Sequence, residues 1–273
     1  MPYKHYYLLL WAVVLTTISS CNKDPLAKLG TSQQFDITSA NTGTEYTITV
    51  FYPGTEMPAT PVPVVYVTDG FWYKDMTAGI ISDLSSSGEI PKVLMVSINY
   101  KKGDGVYARS ADLVYPIEDP GFDKANGDKF FRFLSSELAP RVETTYPCDT
   151  TQRTFLGHSL GGFFALYSLL DNAANPFFKK VVAASCSIGL GKDNAVFVKE
   201  AQVAQTVSDI PATLFIGCGE LVGSAPAMHQ QFYNRMASRN YPNLKVAFET
   251  YPKSHATDPF PSFKNGLKYV FNN

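Results

Sequence analysis

The feature that most constrains this chain is a five-residue turn, Gly157-His158-Ser159-Leu160-Gly161, between an apolar strand-like segment and an apolar helix-like segment. The spacing is that of a nucleophile elbow, in which a serine on a tight strand-to-helix turn is held in a strained backbone conformation with its oxygen exposed. The flanking positions are glycines because side chains there would collide with the turning backbone. Gly162 adds room for close packing of the helix on the sheet. The pattern therefore predicts nucleophilic chemistry at Ser159 rather than a glycine-rich turn without chemistry.

Size and charge narrow the class of protein. The chain has 273 residues, of which 45% are hydrophobic, enough to build the core of one large α/β domain. Its formal net charge is −1. A nearly neutral chain lacks the electrostatic footprint of a nucleic-acid partner or of an anionic membrane surface. We therefore expect no nucleic-acid partner.

The N-terminus has the form of a targeting segment. Lys4 precedes an apolar run, residues 6–19, that is too short to span a bilayer comfortably and suits a secretory signal peptide. The run ends in Ile18-Ser19-Ser20-Cys21, which resembles a bacterial lipobox with isoleucine in place of the usual leucine. We expect residues 1–20 to be a lipoprotein-type signal peptide and Cys21 to carry lipid, which places the protein in the bacterial cell envelope. A plain signal peptide or a short anchor helix is the alternative.

The rest of the chain reads as one domain. Residues 21–32 are a polar tether, and residues 33–273 begin with an antiparallel hairpin and continue as alternating strands and helices. This order predicts an α/β fold with a mainly parallel twisted sheet and helices on both faces. In such sheets ligands bind at the carboxyl ends of the strands. Residues 101–121 read as a loop long enough to be functional or disordered.

Cysteine usage gives no sign of a metal or a disulfide framework. Beyond Cys21 the chain has Cys148, Cys186 and Cys218, an odd number whose spacing fits no zinc pattern. Cys186 and Cys218 both follow apolar strands, so a bond between them is left open. We expect no metal and no cofactor.

Chemistry at Ser159 requires a base, because an alkyl hydroxyl is a poor nucleophile until it loses its proton. The chain has four histidines. His5 lies in the signal segment, His158 in the elbow must point away from Ser159, and His229 is expected on the surface of a helix. His255 follows the last strand at the carboxyl edge of the sheet, so it is the predicted base.

The acid that orients this base should lie between the serine and the histidine in the chain. Glu220 directly follows a strand at the correct edge and is the first choice. Asp209 lies at the wrong end of that strand, Asp193 is less well placed, and Asp258 comes after His255 and so out of order. A backbone group could also orient the imidazole in place of an acid.

Stabilisation of the reacting oxyanion needs two backbone amides. One is expected from Leu160, directly after the nucleophile. The other is expected from the loop after residues 64–68, at Gly70 or Phe71.

Several motifs resemble one branch of the α/β-hydrolases. This esterase branch includes esterase D, feruloyl and acetyl xylan esterases, and siderophore trilactone esterases, and the resemblance covers roughly residues 33–272. The matching motifs are Gly157-His-Ser-Leu-Gly-Gly162, Val65-Tyr-Val-Thr-Asp69-Gly70 and Gly127-Asp-Lys-Phe-Phe-Arg-Phe-Leu-Ser-Ser-Glu-Leu-Ala-Pro140. Arg109-Ser-Ala-Asp112-Leu-Val-Tyr-Pro116 is most similar to the trilactone esterases.

The resemblance implies an α/β-hydrolase fold, Ser159 as nucleophile, His255 as base and Arg109 as a contact for an anionic or catecholate ligand. A structural ion pair of Arg109 with Asp112 or another carboxylate is the alternative. His158 and Trp72 are further candidate contacts for the substrate. The sequence departs from the branch at Val114-Tyr115, where a threonine is usual before the proline, and at Ser185-Cys186-Ser187, where a tryptophan is often found.

Together these features predict a serine ester hydrolase that acts through an acyl-enzyme, with a ferric siderophore trilactone as the expected substrate. Alternatives are a feruloyl or acetyl esterase on plant polysaccharide, an acyltransferase, and a lipoprotein that binds a ligand on the same scaffold without turning it over. We expect contact with a membrane only through the lipid anchor. The oligomeric state is left open.

Overall fold

The computed structural model describes residues 25–101 and 105–273. The predicted signal peptide and Cys21 lie outside the described residues, as do residues 102–104 of the predicted long loop. No helix in the described ranges is long and apolar enough to cross a membrane.

The described chain is built on a single eight-stranded sheet with the order β1-β2-β4-β3-β5-β6-β7-β8. The pairs β1–β2 and β2–β4 are antiparallel, and all other neighbours are parallel. The strands are β1 Thr31–Thr38, β2 Glu45–Tyr52, β3 Val62–Val67, β4 Leu94–Tyr100, β5 Cys148–His158, β6 Lys180–Ala184, β7 Thr213–Gly219 and β8 Lys245–Tyr251.

Helices cover both faces of this sheet. They are α1 Gly70–Ser86, α2 Gly105–Asp112, α3 Gly127–Arg132, α4 Ala139–Thr145, α5 Leu160–Asp171, α6 Ala195–Thr206, α7 Ala225–Ser238 and α8 Pro259–Asn272. A π-helical turn, Phe133–Leu138, joins α3 to α4. The predicted α/β-hydrolase fold, with an N-terminal hairpin and a mainly parallel sheet, is confirmed.

The two faces explain why the central strands are apolar throughout. In β3, Val64 and Tyr66 face the larger core under α3 to α7, whereas Val65 and Val67 face the smaller core under α1 and α8. Successive strand residues point to opposite faces, so a strand covered on both sides needs apolar side chains at every position.

The hairpin forms where alternation predicts it. β1 pairs with β2 from Thr31 opposite Tyr52 to Thr38 opposite Glu45. The chain reverses at residues 39–44, where Gly43 has a φ of 75° that favours glycine. Among the larger side chains β2 buries Tyr46, Ile48 and Val50 towards the helices.

Three segments differ from the sequence prediction. The predicted long loop contains α2, because a short amphipathic helix carries too weak a periodic signal among glycines. The helical periodicity of residues 123–145 predicts one continuous helix, whereas the structure begins it at Gly127 and interrupts it with the π-helical turn. The predicted tether also contains structure, since a 3₁₀ helix spans Pro25–Lys28 and the side chain of Leu26 is buried in the core. β1 begins at Thr31, two residues before the expected start of the domain.

Candidate active site

Ser159 occupies the turn between β5 and α5 with φ 60° and ψ −117°. This is a strained conformation for a residue with a side chain, and such strain concentrates at functional sites. Two hydrogen bonds fix the turn: the Ser159 amide donates to the carbonyl of Ala184 at 3.0 Å, and the Ser187 amide donates to the carbonyl of Ser159 at 3.0 Å. The Ser159 hydroxyl lies 3.5 Å from the Ser187 hydroxyl.

The glycines around the nucleophile are required by close backbone contacts. A Cβ on Gly157 would lie 2.0 Å from the carbonyl oxygen of Gly161, a distance that no real Cβ shows. At Gly162 it would lie 3.0 Å from the carbonyl oxygen of Ala184, at the end of the neighbouring strand. The elbow spacing therefore reflects the approach of α5 to β5 and β6.

His255 and Ser159 line the same cavity, which has a volume of about 620 Å³ at the carboxyl edge of the sheet. His255 lies in the exposed loop between β8 and α8. Partial burial lowers its pKa, and the neighbouring His158 and Arg109 lower it further, while Asp258 raises it. A lowered pKa keeps the imidazole neutral at neutral pH, as a general base requires.

His158 is buried, and it lines the same cavity as Ser159 and His255. Its Nε2 lies 2.9 Å from the backbone carbonyl of His255, and its Nδ1 lies 2.8 Å from the hydroxyl of Tyr73. A carbonyl only accepts, so Nε2 carries the hydrogen. Burial raises the pKa of Tyr73 to about 12, so its hydroxyl keeps its hydrogen and can donate it to Nδ1. Both ring nitrogens are thus used inside the protein.

The carboxylate that reaches this histidine pair belongs to Asp258, which is fully buried. Its Oδ2 accepts a hydrogen bond from Ser185 at 2.6 Å, and its Oδ1 lies 3.4 Å from Nε2 of His158 without a hydrogen bond of its own. One possible metal-ligand atom from each of His158, His255 and Asp258 lies within 4.8 Å of the other two. The residue types are those of a metal site, but Nε2 of His158 would first have to lose its hydrogen and Nδ1 already bonds Tyr73.

Glu220, the predicted acid, does not join this group. It follows β7 as expected, but its exposed carboxylate accepts a hydrogen bond from Thr250 at 3.0 Å. The Glu220 amide donates to the carbonyl of Tyr251, and this pairing turns the Glu220 side chain towards β8. Chain order argued against Asp258, yet its carboxylate lies 3.4 Å from Nε2 of His158, so it replaces Glu220 as the candidate acid. The missed signal is an aspartate directly before Pro259, which is typical of a helix start.

The predicted oxyanion donors are the first residues of two helices. Leu160 begins α5 and Gly70 begins α1, so neither amide has an acceptor within its helix. The amide of Phe71 differs, because it donates to the Asn99 side chain at 3.1 Å. Phe71 is therefore engaged in this structure, and Gly70 is the better-placed of the two candidates.

Arg109 is held in a buried ion pair. Its Nε and one Nη donate to the two carboxylate oxygens of Asp69 at 2.6 and 2.8 Å. Its guanidinium also lies 5.4 Å from the ring centre of Trp72. The partner is Asp69 rather than Asp112, which instead accepts a hydrogen bond from Tyr46 at 2.6 Å. Arg109 and Trp72 both line the cavity, as expected of substrate contacts.

Apolar side chains make up most of the remaining cavity wall. Among the described residues they are Tyr73, Met76, Ala256, Pro259 and Phe260. Phe71 beside Trp72 is 79% exposed and packs edge-on against it. The cavity is thus suited to flat, largely apolar groups.

Two further predictions concern His229 and the three cysteines of the domain. His229 is buried rather than on the surface, and its Nδ1 lies 2.7 Å from the carbonyl of Ala225. Cys148, Cys186 and Cys218 are all free, and burial raises the pKa of the Cys186 thiol.

Comparison with known proteins agrees with this geometry. The model of the "Putative esterase" family matches residues 39–246. The chain belongs to this family. Ferri-bacillibactin esterase BesA from Bacillus subtilis (strain 168) is 29% identical over 246 residues, which cover 81% of this chain and 82% of that protein. Apo-salmochelin esterase from Escherichia coli O6:H1 (strain CFT073) is 28% identical over 157 residues, 54% of this chain and 48% of that protein.

Solved structures share the architecture. The BES protein from Bacillus cereus superimposes with a TM-score of 0.77 at 24% identity and covers 88% of this chain and 94% of its own. At this identity the likeness establishes the fold. Family membership and the two esterase relatives support an esterase.

Proposed function

We propose that the protein is a serine carboxylic-ester hydrolase that forms an acyl-enzyme on Ser159, and that its substrate is a siderophore trilactone. The observation that carries the proposal is the strained Ser159 in a shared cavity with His255, whose lowered pKa favours the neutral base. The names of two relatives, a ferri-bacillibactin esterase and an apo-salmochelin esterase, support a siderophore substrate.

In the proposed reaction Ser159 attacks the ester carbonyl while His255 accepts the hydroxyl proton. The oxyanion receives hydrogen bonds from the amides of Leu160 and Gly70. His255 then gives the proton to the leaving alcohol. A water molecule, deprotonated by His255, attacks the acyl-enzyme, releases the acid and restores Ser159. Asp258 lies near enough to favour the imidazolium that forms in each half of the reaction.

Replacement of Ser159 by alanine tests the nucleophile. Ser159→Ala should lose hydrolysis of both a trilactone and a short-chain nitrophenyl ester, and should lose labelling by an active-serine phosphonate. Ser187→Ala is the matched control, because this hydroxyl lies only 3.5 Å away but sits outside the strained turn; it should keep the label. Hydrolysis or labelling retained in Ser159→Ala would refute the serine mechanism.

Rates on a panel of substrates test the ester class. A catecholate trilactone, a feruloylated oligosaccharide and an acetylated xylan are compared at equal enzyme concentration. We expect the trilactone to have the highest kcat/KM. A higher value for either polysaccharide ester would replace the siderophore assignment while leaving the serine mechanism in place.

We also propose that Cys21 carries lipid and holds the domain at the cell envelope. Metabolic labelling with an alkyne fatty acid should mark the protein, and Cys21→Ser should remove the mark. Cys148→Ser, a cysteine within β5, is the control and should stay labelled. Labelling that survives Cys21→Ser would place the lipid elsewhere.

A further inference from the structure

The charge at the substrate cavity is balanced within the protein. Arg109 is the one arginine among the described residues that line the cavity, and no lysine is among them. Both of its bonded nitrogens face the carboxylate of Asp69, whose side chain is fully buried, while the Arg109 side chain is 16% exposed. The ion pair therefore presents little net charge to a ligand.

The other ionisable side chains at the cavity add no positive charge. His255 has a lowered pKa, and the buried carboxylate of Asp258 lies beneath the two histidines. Lys74, the nearest lysine along α1, lies 3.6 Å from Asp75. A polyanion that enters this cavity would lose its hydration without gaining an unpaired cation, which is costly.

A catecholate trilactone exists in two charge states. Phenolic hydroxyls have ordinary pKa values of about 10, so the metal-free catechols are neutral at neutral pH. Three doubly deprotonated catechols around Fe(III) carry a net charge of minus three. The relatives include one named for a ferric siderophore and one named for an apo siderophore, so their names leave the choice open.

We propose that this site selects aryl esters without net charge, so that the metal-free trilactone is hydrolysed in preference to its ferric complex, and that Asp69 sets this preference by neutralising Arg109. The inference rests on the proposed function for the identity of the substrate. The sequence predicts a ferric substrate, with Arg109 as a contact for an anionic ligand. The proposal differs because Asp69 already neutralises the charge of Arg109.

Asp69 is suited to this role by its position. It ends the turn after β3 in a left-handed conformation, φ 59° and ψ 43°, directly before α1. Its carboxylate makes no capping hydrogen bond to α1. The side-chain oxygen of Asn99 instead accepts the hydrogen bond from the Phe71 amide in the first turn of α1. The carboxylate is thus committed to Arg109 rather than to the helix. Asparagine tolerates the left-handed conformation nearly as well as aspartate, so the charge can be removed without a change of backbone.

The first measurement is kcat/KM of the wild-type protein for the metal-free trilactone and for its Ga(III) complex, which has the charge of the ferric complex and is not reduced. We expect the metal-free form to be favoured by about tenfold or more. Equal rates, or a preference for the complex, would overturn the proposal. This comparison needs no variant.

The second measurement uses Asp69→Asn. Freed from its partner, Arg109 should attract the complex, so the preference should move towards the Ga(III) form by about tenfold, and this gain should shrink at high salt. The double variant Asp69→Asn/Arg109→Gln restores a balanced charge and should return to the wild-type ratio. Asp209→Asn controls for net charge, because Asp209 bonds Asn243 before β7, away from the cavity. An unchanged ratio in Asp69→Asn would overturn the role of Asp69.

A second pair of substrates separates this inference from the siderophore assignment. A nitrophenyl ester is compared with its ring-sulfonated counterpart. If neither form of the trilactone is hydrolysed, the siderophore assignment fails, and the charge preference is then decided by this pair alone. A preference for the neutral ester supports selection by charge, and a preference for the sulfonated ester contradicts it.

Discussion

Each histidine of the site has a separate task at the scale of single residues. His255 has its ring in the cavity and its backbone carbonyl bonded to His158. His158 is held in turn by Tyr73. The elbow histidine therefore holds the loop that carries the base, and it also lines the cavity, where the sequence predicts a contact for the substrate.

Replacement of His158 tests this task. His158→Ala should lower kcat by roughly tenfold, because the base is misplaced. It should change KM less, because Trp72 and Arg109 still line the cavity. His158→Gln, whose amide can still donate to the His255 carbonyl, should recover most of the loss. Steady-state kinetics on a nitrophenyl ester measure both. A larger change in KM than in kcat would favour the substrate contact predicted from the sequence.

Single substitutions of Asp258 and Glu220 test which carboxylate supports the base. Asp258 raises the pKa of His255, so Asp258→Asn should move the acid limb of the kcat/KM profile to lower pH and lower kcat by about tenfold or more. Glu220→Gln removes a carboxylate that bonds Thr250 and should leave the profile in place. The opposite pattern in the two profiles would restore Glu220 as the acid.

Residues differ in how far the sequence predicts them. The sequence singled out Ser159 through the glycines that its turn requires, and His255 through its place after the last strand, and the structure places both in one cavity. The place of Asp258 beside the histidines was not predicted, because chain order describes where an acid usually comes from and not which carboxylate can reach the ring. Its contacts to Ser185 and His158 join three separate segments, and such contacts have no local signal in the sequence.

The π-helical turn between α3 and α4 has a structural task at the scale of elements. It carries Glu137, whose carboxylate accepts hydrogen bonds from the amides of Ala40 and Asn41 at 3.0 and 3.1 Å and from the Ser39 hydroxyl at 3.1 Å. These bonds lower the pKa of Glu137, although burial opposes them. The turn of the β1–β2 hairpin is thereby tied to the helical layer.

Removal of this carboxylate should loosen the hairpin. Glu137→Ala leaves several turn amides without an acceptor and should lower the free energy of unfolding by about 1–2 kcal/mol. Urea unfolding gives the total effect, and hydrogen exchange at residues 39–44 should rise locally. Glu118→Gln is the control, because Glu118 pairs with Lys192 in an exposed bridge. Unchanged hydrogen exchange at residues 39–44 would show that the hydrogen bonds to Glu137 do not stabilise the hairpin turn.

Elements with a strong period were predictable, and short irregular ones were not. The hairpin alternates apolar and polar residues, and β3 is continuously apolar, so both could be identified. α2 could not, because an eight-residue helix leaves too little periodicity to distinguish from a loop. The π-helical turn lies within the helical pattern of residues 123–145, and one extra residue in a turn leaves no separate signal there.

The buried carboxylate of Asp112 makes stability depend on pH at the scale of the whole molecule. Burial raises the pKa of Asp112 to about 6, from 3.8 for an ordinary aspartate. The folded protein then holds this proton more tightly than the unfolded chain does. The Asp112 contribution to the free energy of unfolding therefore falls as pH rises from about 4 to 6, by about 3 kcal/mol in total.

Asp112→Asn should remove this dependence. The asparagine can still accept the Tyr46 hydrogen bond without a buried charge, so the variant should gain stability over the wild type at pH 8 and lose that gain at pH 4. Urea unfolding across this range gives the difference. Asp209→Asn should show the opposite sign, because hydrogen bonds from Asn243 lower the pKa of Asp209. A constant difference between Asp112→Asn and wild type would contradict the raised pKa.

The buried Leu26 fixes how an anchored protein would face its membrane. The Leu29 carbonyl next to it accepts from Ser82, twelve residues along α1 from Gly70 and so about 18 Å from the carboxyl edge of the sheet. Four residues lie between Cys21 and Leu26, so this segment reaches at most about 18 Å. With Cys21 acylated as proposed, the lipid joins the domain at its amino edge, and we expect the bilayer on that side and the cavity opening away from it. Substrate would then arrive from the aqueous side, without first partitioning into lipid.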